Sequence, residues 1–92
     1  MKIKSGYLLK EVAGTFLVVA VGKRAKEFNG MINLNETAAA LWERLADGAT
    51  EEGLVAFLLR EYDVDEIRAT DIVKVFIEKL KNADLLEGGE NK

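Results

Sequence analysis

The side chains able to do chemistry in this 92-residue chain are carboxylates, hydroxyls, amines and guanidiniums, because it contains neither cysteine nor histidine. Disulfides, thiol nucleophiles, zinc sites of the usual ligand type, self-ligated iron–sulfur clusters and imidazole acid–base chemistry are therefore excluded. The carboxylates that do cluster have simpler explanations. Glu51 and Glu52 follow Thr50 at a helix start, where acidic side chains meet the positive end of the dipole. Asp63, Asp65 and Glu66 lack the glycine and terminal glutamate of a calcium loop. Lys23, Arg24 and Lys26 form a basic loop that can attract an acidic peptide, although a charged hairpin loop is more often only solvated. No nucleophile stands with a base, so the chain reads as a binding module without catalytic residues, metal or cofactor.

The elements that must position a binding surface fall into two halves. Up to about residue 34 the chain is rich in β-branched and aromatic types. Tyr7–Val12 and Thr15–Val21 read as strands. Ala13-Gly14 between them is short enough for a tight hairpin, with Gly14 able to take the positive φ such a turn needs. The second strand is apolar on both alternating faces, which suits a central strand covered on both sides. A polar loop, Gly22–Gly30, ends in the turn pair Asn29-Gly30. Met31-Ile32-Asn33-Leu34 follows as a short third strand.

From residue 35 the periodicity becomes helical. Asn35, Thr50 and Asp65 are N-cap candidates whose side chains can accept a bond from a first-turn amide. Ala38, Leu41, Trp42 and Leu45 make the inner face of the first helix, with Trp42 read as core. Asp47-Gly48 ends that helix. Leu54, Val55, Leu58 and Tyr62 make the inner face of the second. Ala69, Ile72, Val73, Phe76, Leu80 and Ala83 make a stripe along the third. Asp71 reads as solvent-facing, with a ligand-orienting role as the alternative. Val75 lies off the stripe, on the flank with Arg68, Ile72 and Lys79, where it is either peripheral packing or a groove wall. Leu85-Leu86 tucks the chain end onto the sheet or helices. Residues 1–87 form one domain, and residues 88–92 a flexible tail. The fold class is α+β, a three-stranded antiparallel sheet followed by three helices.

This layout leaves a short third strand at a sheet edge without proline, bulge or charge to guard it. An open edge beside a helix is the geometry of peptide capture by strand addition, in which the backbone ladder supplies affinity and flanking pockets select alternate side chains. The same edge can instead pair with a second copy or bind nothing.

The residues from Gly30 onward resemble the PqqD family, the small pyrroloquinoline-quinone biosynthesis chaperones. Gly30-Met31-Ile32-Asn33-Leu34-Asn35-Glu36-Thr37-Ala38 is similar to the family's Gly-Met-x-x-Leu-Asn-Glu-(Ser/Thr)-Ala signature. Asp47-Gly48-Ala49-Thr50, Tyr62-Asp63-Val64, Asp71-Ile72-Val73 with Phe76 and Leu80, and the Leu85-Leu86 ending match further family segments. Ala83-Asp84 stands where the family often has glycine. Ala20-Val21-Gly22-Lys23 replaces the Tyr-Pro-Glu that follows the second strand in quinone-cofactor members. The resemblance implies a winged-helix-like domain that binds the leader of a ribosomally made precursor peptide and presents it to a modifying enzyme, often a radical-SAM protein. It places the leader beside the third strand and against the third helix. On this chain the expected peptide-binding residues are Met31, Ile32, Asn33, Leu34, Arg68, Asp71, Ile72, Val75 and Lys79.

Charge and hydropathy bound the alternatives. Thirteen basic against sixteen acidic residues leave a net charge of −3, which disfavours nucleic-acid binding. A winged-helix DNA-binding role would also need a basic third helix, whereas Arg68, Lys74, Lys79 and Lys81 are offset by Glu66, Asp71 and Glu78. The longest uncharged run, Val12–Gly22, is too short to span a bilayer. A cytoplasmic location and no membrane partner are the default expectations, and a homodimer through the sheet edge is the remaining alternative.

Overall fold

A computed structural model describes residues 1–23, 25 and 32–87. Among these residues three strands, β1 (Tyr7–Val12), β2 (Thr15–Ala20) and β3 (Ile32–Leu34), precede three helices, α1 (Glu36–Ala46), α2 (Glu51–Glu61) and α3 (Glu66–Asn82). The strands form one antiparallel sheet in the order β1-β2-β3, so the architecture is the α+β arrangement expected. Met31, Arg24, Lys26, the Asn29-Gly30 pair and the tail from residue 88 lie outside the described residues.

Val12 pairs with Thr15, which leaves a two-residue turn. Gly14 takes φ +81, and Ala13, not foreseen to do so, takes φ +52. Two successive positive φ values match the right-handed twist of the flanking strands. β2 is central, but the expectation that it is covered on both faces is not met among the described residues. Val18 is fully buried and Phe16 packs on the core, whereas the alternate residues Leu17 and Val19 are only half-buried and stand outside the core cluster. β2 stops at Ala20. Val21 is exposed, and its amide donates to the Gly6 carbonyl at 2.8 Å.

The helix starts are fixed by side-chain oxygens. Asn35 Oδ1 accepts from the Ala38 amide at 2.8 Å, Thr50 Oγ1 from the Gly53 amide at 2.9 Å, and Asp65 Oδ1 from the Arg68 amide at 2.8 Å. Each satisfies a donor that has no intrahelical partner. Gly53 sits close under its cap: a Cβ there would lie 3.1 Å from Thr50 Oγ1.

The buried faces differ in detail from the periodic stripes. Ala39 rather than Ala38 is buried on α1 beside Leu41, Trp42 and Leu45. On α2 only Leu54 and Leu58 are buried, with Val55 and Tyr62 at the margin. On α3 the buried set is Ala69, Val73, Phe76, Ile77 and Leu80. Ile77 was missed because α3 packs over a wide arc, about 100° of its circumference by helical geometry. Ile72 and Ala83 are half-buried at the margins of that arc.

Residues 2–4 meet residues 85–87. Ile3 bridges Leu86 in antiparallel fashion. The Lys4 amide donates to the Leu85 carbonyl at 2.8 Å, and the Glu87 amide to the Lys2 carbonyl at 2.9 Å. This clasp buries Ile3 and fully buries Leu85. The described end of the chain therefore pairs with residues 2–4 and leaves β3 uncovered.

Candidate functional site

Among the described residues β3 pairs with β2 alone, through Phe16↔Leu34, Leu17↔Asn33 and Val18↔Ile32. Its sequence alternation settles which way each side chain points. Leu34 is buried and Ile32 packs on the core, while Asn33 is exposed. Ile32 and Leu34 therefore face the helices and Asn33 faces away.

The backbone of Asn33 carries the open edge. Lys79 on α3 donates from Nζ to the Asn33 carbonyl at 3.0 Å. In an antiparallel ladder the N–H and C=O of one residue point to the same side. A carbonyl reached from α3 thus places the Asn33 amide on the outer edge as well. The edge is not wholly bare, as the sequence suggested: a single flexible ammonium caps one of its two outward groups.

A groove of about 340 Å³ runs between this edge and α3. Leu34, Asn35, Thr37 and Ala38 form one wall. Arg68, Asp71, Ile72, Val75, Phe76 and Lys79 form the other. The structure thus gathers in one groove every described residue of the expected set except Ile32 and Asn33, which belong to the strand flanking it. Val75 is 60% exposed and Ile72 half-buried, so the α3 wall presents aliphatic surface to water. The positions at 68, 72, 75 and 79 recur with helical spacing and share one face of α3, opposite Ile77.

Asn35, Thr37, Ala38 and Phe76 were not foreseen as wall residues. Asn35 was read only as a helix cap, which it also is. Ala38 packs against the core as its place on the inner face implies, and its small half-buried side chain also lines the groove. The signal for Ala38 and Thr37 was their place directly behind a strand that ends at Leu34.

Among the described residues the groove carries two cations, Arg68 and Lys79, and one carboxylate, Asp71. No group of three or more metal-ligating side chains exists among the described residues. The site has the makings of an extended-peptide cleft, with a backbone ladder on one side and an apolar wall with basic flanks on the other.

The family model of coenzyme PQQ synthesis protein D (PqqD) matches residues 7–86. The chain belongs to the PqqD family. Two solved structures share its fold. One is TbiB1 in complex with the TbiA(beta) leader peptide, at TM-score 0.78 and 22% identity, covering 99% of this chain and 100% of that one. The other is lasso peptide synthetase B1 complexed with the leader peptide, at TM-score 0.71 and 21% identity, covering 91% of this chain and 93% of that one. A search of the curated proteins finds no match. Among the described residues no helix is long and apolar enough to cross a membrane.

Proposed function

We propose that this protein is a non-catalytic peptide chaperone. It binds the leader of a ribosomally synthesised precursor by strand addition at β3 and presents the precursor to a modifying enzyme of the radical-SAM class. The observation that carries this reading is the outward-facing backbone of Asn33 beside the aliphatic groove wall of α3. Membership of the PqqD family supports it, as do two structural neighbours whose structures contain leader peptides.

The mechanism follows from this geometry. A flexible leader gains main-chain hydrogen bonds from the edge, and one or two apolar side chains enter the groove lined by Leu34, Ala38 and Ile72. Ordering the leader offsets part of that gain. A dissociation constant between about nanomolar and micromolar results, or roughly −12 to −8 kcal/mol. Holding the leader beside the enzyme raises the effective concentration of the core peptide at the catalytic site. The peptide-binding residues are Met31, Ile32, Asn33, Leu34, Arg68, Asp71, Ile72, Val75 and Lys79.

The test uses the leader of the precursor encoded beside this protein's gene, labelled with fluorescein. Fluorescence anisotropy should give saturable one-to-one binding. Modification of the full precursor by the neighbouring enzyme should fall when the chaperone is omitted. Modification at an undiminished rate without it, or no binding of any candidate leader, sinks the proposal. Sedimentation at increasing concentration separates it from the alternative in which β3 pairs with a second copy.

A further inference from the structure

The oxygen that Lys79 holds is one that a guest strand needs. Its ammonium donates to the Asn33 carbonyl at 3.0 Å. Asn33 is the residue of the three-residue strand whose backbone groups face outward. A guest amide that pairs with Asn33 takes over this carbonyl and releases the ammonium into the groove.

A released ammonium has three donors and no acceptor. Beside an apolar wall newly covered by peptide, it needs a replacement partner. Its own helix offers no carboxylate at the positions that neighbour it on the helix surface, and only the neutral amide of Asn82. The positions three and four residues away, where helical neighbours meet, are Val75, Phe76, Asn82 and Ala83. Asp71 lines the same groove, but eight residues along a helix amount to about 12 Å, beyond the reach of a direct ion pair. Asp71 is the only carboxylate among the described residues that line the groove, so a charged partner for the released ammonium comes from the guest.

The pleat says where. A guest residue opposite Asn33 shares its outward face, and the residues on either side of it point toward α3. One of these meets the aliphatic wall of Leu34, Ala38 and Ile72. The other comes beside Lys79. We propose that Lys79 is a specificity-determining residue that selects guest strands bearing a carboxylate two residues from an apolar anchor. It does so by exchanging its bond to the Asn33 carbonyl for one to the guest carboxylate. The order of the two guest residues depends on strand direction, but their spacing does not. This inference rests on strand addition at β3, and its test separates the two.

A displayed library of random twelve-residue peptides is selected against the wild-type protein and against the Lys79→Arg, Lys79→Met and Lys79→Glu variants. Wild type and Lys79→Arg should enrich an acidic residue two positions from an apolar one. Lys79→Met should keep the apolar position and lose the acidic preference, and Lys79→Glu should replace it with Lys or Arg. For one selected peptide, Glu→Gln at that position should weaken binding to wild type about three- to tenfold and leave binding to Lys79→Met unchanged. In the free protein, Lys79→Met should shift the carbonyl carbon resonance of Asn33. Equal acidic enrichment with wild type and Lys79→Met, or a Glu→Gln change neutral on wild type, overturns the role of Lys79 while leaving strand addition standing. Selected peptides that leave the Ile32–Leu34 amides unperturbed, or no enrichment by folded protein, overturn both.

Discussion

Proline at position 33 separates binding from folding, because the two use different backbone groups of β3. Ile32 and Leu34 face β2 with their amides and carbonyls, and Asn33 faces outward. Asn33→Pro therefore removes no bond from the sheet, and proline is tolerated on an edge whose N–H points to solvent. The substitution removes the outward amide, and its ring keeps a guest strand from the roughly 4.8 Å spacing a ladder requires. Both hydrogen bonds between Asn33 and the guest are then lost. At about 1 kcal/mol net for each, leader binding weakens by about 2 kcal/mol, roughly 30-fold in Kd. Anisotropy with the fluorescein-labelled leader reads the affinity, and thermal unfolding by circular dichroism reads the stability. The melting temperature should move by no more than a few degrees. Wild-type affinity in a folded Asn33→Pro protein refutes strand addition at this edge. If the variant unfolds, single N-methylation along the leader gives the same information. Affinity should fall at alternate residues of the segment paired with β3, and a uniform response contradicts the ladder.

Three further outcomes follow from the packing. Val75→Gln replaces a side chain that is 60% exposed in the free protein, so leader affinity should fall about fivefold with the melting temperature unchanged; a loss of stability instead would mark Val75 as packing. Leu85→Ala opens a fully buried site under the terminal clasp and should cost about 3 kcal/mol, or ~12–24 °C in melting temperature. A drop of only a degree or two would show that the clasp is not part of the cooperative unit. Asp84 holds φ +61 just beyond α3 and pairs with Lys4 at 2.8 Å. Asp84→Gly and Asp84→Ala both lose that pair, but only alanine bears the left-handed strain, so the alanine variant should be less stable by about 1 kcal/mol. Equal melting temperatures would contradict a left-handed backbone there.

Asp84 also accounts for one departure from the family pattern. Glycine is the usual residue where a chain leaves a helix in the left-handed region. Here an aspartate, which tolerates that region better than most residues, gains an ion pair with the N-terminal segment.

Local signals told most of the fold. Asn35, Thr50 and Asp65 could be read as caps because each puts an oxygen three residues ahead of an amide that needs it. The hairpin was readable from Gly14, though Ala13 hides its positive φ behind an ordinary side chain. Long-range contacts stayed hidden. Ile3 is one apolar residue between two lysines, and no periodicity announces that Leu86 will bridge it. Ile77 fell outside a single stripe because a helix packed over a broad arc buries more than one row. The groove was partly legible: an unguarded short strand and an off-stripe Val75 both point to it. The Lys79–Asn33 bond spans 46 positions in sequence, and nothing local in either residue encodes it. Ala38 and Ala39 are chemically alike, so only the packed structure tells that Ala39 is buried outright while Ala38, packed on the core, also lines the groove.

The most direct measurement is isotope-filtered NMR on labelled protein with an unlabelled leader. Strand addition predicts intermolecular contacts from guest backbone protons to the Asn33 amide and its neighbours, together with guest side-chain contacts to Ile72 and Val75. Contacts confined to the β1 edge, or to the helices with none at Asn33, would contradict the account.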